Sequence, residues 1–373
     1  MARLNKGERI TDLCVEYGVS RKTGHKLKKR YEEMGVSGLE DRSRAPKHIP
    51  HKTPSEVAEL IIAERRKHPN WGPRKLKDVL EQRLGRSLPS ASTLGSILVR
   101  AGLTERKKSR TRYRPRPTGL TVAEAPNDVW CIDYKGQFRL GDQSYCYPLT
   151  VTDQHSRYLL CCDGMAAIDE DQARDSLEMT FREHGLPSVM RSDNGVPFAS
   201  TGLAGLSKLS VYWMRLGIVP ERIRPAHPQE NGQHERMHRT LKRETTRPPR
   251  ANLLQQQEAF DAFVDEFNTE RPHEALDMKR PAQVYKPSSR RYPDLLPEPE
   301  YPTHDDVLRV TATGGIYLYR RKHIYLGVAL SKQLVGIREE EDGRWLVSFM
   351  HIDLGYVETN DAFTPIMPTP QAN

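Results

Sequence analysis

Two aspartates and one run dense in acids and bases are where this 373-residue chain could do chemistry. Asp133 lies near the end of an apolar stretch in "VWCIDYKG", and Asp193 follows another in "MRSDNGVPF". The run "RPAHPQENGQHERMHRTLK", Arg224 to Lys242, sets Glu230 and Glu235 among three histidines, three arginines and a lysine. Three carboxylates at one point are hard oxygen donors that suit Mg²⁺, which takes few protein ligands and completes an octahedron with water and phosphate oxygens. Two such ions about 3.5 to 4 Å apart activate an attacking oxygen and stabilise a leaving one in phosphodiester chemistry. Each acid also has an ordinary reading. An aspartate at a strand end commonly holds a turn, which is the role expected of Asp153 in "TVTDQHSR". Glu235 has Arg239 at i+4 and Lys242 at i+7, an ordinary salt-bridging face.

The acids need elements to bring them together. Strand alternation puts Trp130 and Ile132 on one face and Cys131 and Asp133 on the other, so Asp133 leaves the core while its neighbours anchor it. The runs "NDVWCIDYKGQFRL", "SYCYPLTVTDQ" and "RYLLCCDGM" read as successive strands, with "GDQ" as a hairpin turn. A helix in "DEDQARDSLEMTFREHG", a short buried strand in "SVMRSDNG", a helical "GLAGLSKLSVYWMRLG" and a brief "IVPERIRPA" come next. Two more helices are expected over residues 231–246 and 252–270. Three antiparallel strands, then alternating helices and strands, is the order of a ribonuclease-H-like α/β domain. Glu230 falls at the start of the first of these two helices, where an acid is favoured by exposed N–H groups. Five positions on, at about 100° per residue, Glu235 points some 140° away from it, so the two glutamates cannot share one face of the helix.

Charge divides the chain. The net charge is +9, yet residues 1–115 hold 28 Lys+Arg against 13 Asp+Glu, or +15, which leaves −6 for the rest. Such asymmetry suggests an N-terminal region that meets nucleic acid or an anionic surface. Residues 8–34 have helix-turn-helix spacing: a helix, a turn at "GVS", and a second helix capped by Ser20 with Arg21, Lys22, Thr23 and Lys26 turned to a major groove. Residues 53–103 read as three more helices, the last capped at Ser90 or Ser92, with Trp71, Leu76, Val79 and Leu80 as core and Arg74 and Lys75 as phosphate contacts. The segment 105–120 has seven basic residues and two prolines, including Arg106, Lys107 and Lys108, and reads as an extended linker that tracks a DNA backbone. After the proline-rich "YPDLLPEPEYP", alternating runs with hairpin turns at Gly314-Gly315 and Asp342-Gly343 suggest a small β-barrel. There is no long apolar run and no secretory h-region, and the five cysteines (14, 131, 146, 161 and 162) lack zinc-type CxxC spacing, so a cytoplasmic protein with reduced thiols and no membrane partner is expected. The reading is multidomain: helix-turn-helix modules at 1–48 and 52–104, a basic linker at 105–121, the α/β core at 122–286, a linker at 287–302 and the β module at 303–366.

Taken together, "W-x-I-D-Y", "S-D-N-G-x-x-F" and "P-x-H-P-Q-x-N-G-x-x-E-R-x-H-R-x-L-K" resemble the catalytic core of bacterial insertion-sequence transposases, which is also similar to that of retroviral integrases. The resemblance implies a DDE triad of Asp133, Asp193 and Glu235 that is both catalytic and metal-binding, with two Mg²⁺ ions per site and Mn²⁺ as a substitute. It implies a transposase that binds the terminal repeats of a mobile element, cleaves the ends and joins the 3′-OH to target DNA, as at least a dimer on DNA. Arg239 and Lys242 would then contact phosphate, while Asn194 and His227 would orient ligands or substrate. The chain departs from the pattern in three ways. Forty-one residues separate Asp193 from Glu235, more than the commonest family spacing, which suggests an insertion near "TGLAGLSKL". The retroviral histidine-and-cysteine zinc module is absent, and the first helix-turn-helix begins so near Met1 that a truncated start is expected. The rival readings are a nuclease that uses the triad without joining ends and a DNA-binding regulator with an inactive core.

Overall fold

The computed structural model describes residues 1–41, 53–104, 119–225, 227–318, 322–341, 343–358 and 363–365. The expected backbone contacts Arg106, Lys107 and Lys108 lie outside them, as does Asp342. The chain divides into two compact units, Met1–Pro54 and Ser55–Asn373.

The first unit holds α1 (Ala2–Asn5), α2 (Ile10–Glu16) and α3 (Arg21–Met34). Gly18, at φ +61°, makes the left-handed turn between the last two. Ser20 caps α3, its hydroxyl accepting from the Thr23 N–H at 3.1 Å. A Cβ at Gly24 would collide with the Cys14 sulfur, which is why α3 carries a glycine where α2 crosses it. Arg21, Lys22 and Lys26 are all exposed on the first turns of α3.

The second unit opens with α4 (Ser55–Lys67), α5 (Pro73–Leu84) and α6 (Ala91–Arg100), packed around Ile61, Trp71, Leu76, Leu80 and Leu94. Of the two cap candidates it is Ser90 that caps α6, accepting from the Thr93 N–H at 3.3 Å. Ion pairs tie this bundle to the rest of the unit: Arg280 to Asp78 at 2.8 Å, Arg74 to Glu274 at 2.8 Å, and a His68–Glu266 contact at 3.4 Å. Arg74 is therefore paired at the surface with a residue of the same unit, and Lys75 beside it is only partly exposed.

A mixed sheet forms the core. Its strands are β1 (Val129–Tyr134), β2 (Phe138–Arg139), β3 (Tyr145–Asp153) and β4 (Leu159–Met165), then, beyond α7 (Glu170–His184), β5 (Val189–Ser192), and beyond α8 (Lys208–Arg215), β6 (Val219–Arg222). β3 pairs antiparallel with β1, β2 and β4, whereas β1–β5 and β5–β6 are parallel. Helices cover both faces, as in the ribonuclease-H-like order expected. Trp130, Ile132, Leu149 and Val151 pack with Leu177 and Phe181 of α7 and Trp213 of α8. On the other side α9 (Gly232–Thr245) and α10 (Leu253–Asp265) set Met237, Leu241 and Phe260 against Cys146 and Cys162. The expected continuation of α10 to residue 270 is a single π-helical turn, Glu266–Glu270. After α11 (Pro281–Val284), the proline-rich segment is bound down: the Arg215 guanidinium donates to the Pro297 carbonyl at 3.0 Å, and Tyr292 packs on the main core.

The C-terminal strands are β7 (Asp306–Arg309), β8 (Gly315–Leu318), β9 (Lys322–Tyr325), β10 (Leu334–Glu341), β11 (Arg344–Phe349), β12 (Ile352–Glu358) and β13 (Phe363–Pro365). The barrel expected over 303–366 is not what the described residues form. β13-β12-β11-β10-β7 is an open sheet, and β8 pairs only with β9. Gly314-Gly315 makes a turn, but it leads β7 into a strand that pairs elsewhere. The reason lies in α8, which is buried on every side between its end residues Lys208 and Arg215. Leu209 and Trp213 face the main core, while Val211 and Met214 pack among Val335, Val347 and Phe349 of the open sheet. A helix of the α/β core covers the apolar face that closure would otherwise have to hide.

Candidate active site

Asp133 emerges where β1 stops being buried, one residue after Ile132. Asp193 follows the four buried residues of β5, the strand beside β1, and its Oδ1 accepts from the Gly195 N–H at 3.0 Å, which fixes the turn. Glu235 stands exposed in the first turn of α9. The three line one open cleft of about 520 Å³, together with Asn194, Arg224, His227 and Asn231. Asn194 donates to the Ile223 carbonyl at 2.6 Å and so ties the loop after β5 to the end of β6. His227 holds the Pro225 carbonyl at 2.8 Å through Nδ1. Arg239 and Lys242 are exposed further along α9. Asp153 is buried and holds its turn, accepting from the Asn127 and Ser156 N–H groups at 2.7 Å each.

Glu230 has a different task from the simple helix-start acid expected. It lies in the tight turn Pro228–Asn231 before α9, its side chain fully buried, accepting from the Arg224 backbone N–H at 2.8 Å and from Arg224 Nε at 2.7 Å. Burial pushes its pKa up, but the Arg224 contacts outweigh that and leave it below the ordinary value. Glu230 thus occupies the one arginine that lines the cleft.

The anchors of α9 went unrecognised in the sequence. His234 and His238, four apart, bury into β3: Thr150 Oγ1 meets His234 Nε2 at 2.8 Å and His238 Nε2 at 2.7 Å, and Thr152 Oγ1 meets His234 Nδ1 at 2.8 Å. Thr150 also donates to the Asp133 carbonyl at 3.0 Å. With its only proton so used, the Thr150 oxygen accepts from both Nε2–H groups, which leaves His238 Nδ1 unprotonated, 3.7 Å from Asp133 Oδ2. The signal was present as "HERMH" together with the alternation of Thr150 and Thr152 against Leu149 and Val151. Fixing residues 234 and 238 into the sheet turns Glu235, 100° round the helix from His234, toward the cleft.

The electrostatics are unbalanced. Burial first, then the charges of Asp193 and Glu235, push the Asp133 carboxyl up to about 7, against weaker relief from the Tyr134 N–H and Lys135. Burial, with Lys135 adding to it, holds His238 down at about 3, so this imidazole is neutral and no counter-ion. Among the described residues no lysine or arginine lies within 4.0 Å of the three carboxylates. The buried Oδ1 of Asn231, also lining the cleft, has no hydrogen-bond partner. The cleft is thus lined by three carboxylates and a free amide oxygen, hard oxygen donors of the kind that suits Mg²⁺. Asp133, His234 and His238 also offer ligand atoms within 4.8 Å of one another. Three of those four ring nitrogens are already taken by threonine hydroxyls, so this second grouping is a structural anchor.

Residues 123–228 and 216–281 match the integrase core domain, and residues 23–98 match a homeodomain-like domain. The Gag-Pol polyprotein of baboon endogenous virus is 29% identical over 194 residues, 52% of this chain and 11% of that one. The transposase of insertion element IS904 from Lactococcus lactis is 26% identical over 178 residues, 45% of this chain and 64% of that one. A solved structure of the HTLV-2 integrase catalytic core domain in complex with magnesium covers 44% of this chain and 100% of its own, at 14% identity and a TM-score of 0.36. The chain thus spans about a tenth of the viral polyprotein it matches. It carries an integrase core domain joined to a helix-turn-helix domain, and it is related to insertion-sequence transposases and to retroviral polyproteins.

Proposed function

We propose that the protein is a DDE transposase that binds the terminal repeats of a mobile DNA element, cleaves the ends and joins the 3′-OH to target DNA. The observation that carries this is the convergence of Asp133, Asp193 and Glu235, from three separate elements, on a cleft where, among the described residues, no lysine or arginine lies within 4.0 Å of them. The three carboxylates would hold two Mg²⁺ or Mn²⁺ ions, with Asn231 Oδ1 as a further oxygen donor. When bound, the metal supplies Lewis-acid activation of the attacking and leaving oxygens. The Gly195 N–H orients Asp193, Asn194 fixes the loop that carries it, and Thr150 with the two histidines holds β1 and α9 in register. Arg239 and Lys242 hold phosphates of the bound strand, and Arg21, Lys22 and Lys26 read the repeat in a major groove. Because an element has two ends, the working form is at least a dimer on DNA.

The test uses oligonucleotides carrying the element's terminal repeats, assayed for cleavage and for strand transfer in Mg²⁺ and Mn²⁺. Glu235→Gln keeps the side-chain shape and removes the charge, so both reactions are expected to disappear while DNA binding persists. Joining by a folded Glu235→Gln protein would overturn the triad. Cleavage by the wild type without any joined product would make it a nuclease, and DNA binding with neither reaction would make it a regulator.

A further inference from the structure

Helix α9 has a second cavity on its other side. It measures about 500 Å³ and lies between α9, the turn after β3 and the segment after α10, with Lys75 of α5 in its wall. Four cationic side chains line it: Lys75, Arg157, Arg236 and Arg271. Arg271 is matched by Glu244, at 2.9 and 3.0 Å. The acids at the wall have their close partners elsewhere, Asp153 in its turn and Glu274 in Arg74. Lys75, Arg157 and Arg236 have no carboxylate within 4.0 Å among the described residues. Arg157 Nη1 is buried with no acceptor. Burial and then the Arg271 charge push Lys75 down to about 7 against weaker relief from Glu244 and Glu274, and burial with Arg236 lowers Arg157 against relief from Asp153. A half-enclosed space where like charges crowd and a guanidinium N–H lacks an acceptor is one that takes an anion with several acceptor oxygens.

Geometry relates this space to the acidic cleft. Asn231 and Glu235 of the α9 region line the cleft, whereas Gln233, Arg236 and Thr240 line the cavity. A helix with its side chains is about 10 to 12 Å across, so the two spaces lie within a few nucleotides of one another along a single strand. We propose that the cavity formed by Lys75, Arg157 and Arg236 is a phosphate site for the DNA strand held in the acidic cleft, taking a phosphodiester a few nucleotides from the reacting bond. The identity of that strand rests on the function proposed above; the anion site itself does not. Its placement makes Lys75, from the second helical module, and Arg236, from the core, co-ligands of one phosphate, so binding DNA would clamp the two together.

The experiment measures duplex affinity of the full chain across a salt series, for wild type, Arg157→Gln, Arg236→Gln and Asp193→Asn, with folding checked by thermal melting. Each arginine variant is expected to bind about 10-fold more weakly near physiological salt and to lose about 0.9 from the slope of log K against log[salt]. Methylphosphonate substitution at single positions should weaken wild type at one phosphate near the cleft and leave Arg157→Gln indifferent there. Wild-type affinity and slope in both arginine variants would overturn the proposal. So would inorganic phosphate that stabilises wild type but not Arg157→Gln while duplex affinity stays equal, since the site would then serve free phosphate. Should Arg157→Gln fail to fold, Lys75→Gln takes its place, and Arg157→Lys is expected to keep the slope. Asp193→Asn separates the two readings. If it still joins ends while the arginine variants bind weakly, the chemistry of the cleft is wrong and the phosphate site stands; if it binds but does not join while they bind normally, the phosphate site falls.

Discussion

Replacing Asp133 by Asn should stabilise the metal-free protein, and the gain should grow with pH. The carboxyl titrates at about 7 in the fold against 3.8 ordinarily, because burial and the charges of Asp193 and Glu235 disfavour its ionised form. A carboxyl raised in this way costs nothing below its unfolded pKa, costs progressively more as pH rises, and reaches its full cost above its folded pKa. At about 1.4 kcal/mol per tenfold change in proton affinity, the cost is about 2 kcal/mol at pH 5 and about 4 kcal/mol at pH 8. These are upper bounds, since water and neighbouring dipoles relax around the charge. At about 2.1 cal/mol/K of unfolding entropy per residue over the unit Ser55–Asn373, each kcal/mol moves the midpoint by about 1.5 °C, so the pH 8 gain is about 6 °C. The assay is thermal unfolding of wild type and Asp133→Asn in chelator, from pH 5 to pH 8, repeated with Mg²⁺. Mg²⁺ should raise the wild-type midpoint and leave that of Asp133→Asn nearly unmoved, which reverses their order. If Asp133→Asn melts no higher than wild type at pH 8 without metal, or the gap does not widen with pH, the carboxylates do not crowd one another and the metal reading loses its electrostatic basis.

Three other outcomes are expected from the same geometry. Glu230→Gln should destabilise the protein by about 1 to 3 kcal/mol at pH 7, because it strips a buried acceptor from Arg224; since the Glu230 pKa is lowered, that stability belongs to pH above 4.5 and the deficit should close as acid protonates the wild type. Equal melting of the two proteins at pH 7 would refute this. Thr150→Val leaves both Nε2 atoms and the Asp133 carbonyl without their partner and should cost about 2 to 5 kcal/mol, with faster amide exchange along α9 than along α7; uniform exchange would mean that the histidines do not anchor the helix. Deleting residues 1–54 should leave the thermal midpoint of the remainder unchanged, whereas a cut at residue 115 should lower it by exposing the face that Asp78 and His68 share with the core.

Much of this was determined along the chain itself. Ser20, Ser90 and Asn252 cap their helices because a short polar side chain at that point satisfies an N–H that the helix cannot. Trp130 and Ile132 face one way and Cys131 and Asp133 the other because strand geometry alternates. For the same reason Asp133 and Asp193 were identifiable as acids at strand ends. What local pattern does not carry is which surface meets which. Glu230 and Glu235 are both acids at the start of one helix; only the approach of Arg224 assigns one to an ion pair, and only the docking of His234 and His238 onto Thr150 and Thr152 turns the other to the cleft. The open C-terminal sheet was decided likewise by α8, whose second apolar face covers it, since alternation in a strand marks an apolar side without naming what buries it. The crowding of Arg157, Arg236 and Lys75 came from the fold alone, because residues 79 or more apart in sequence share a cavity only once long-range packing has closed the chain upon itself.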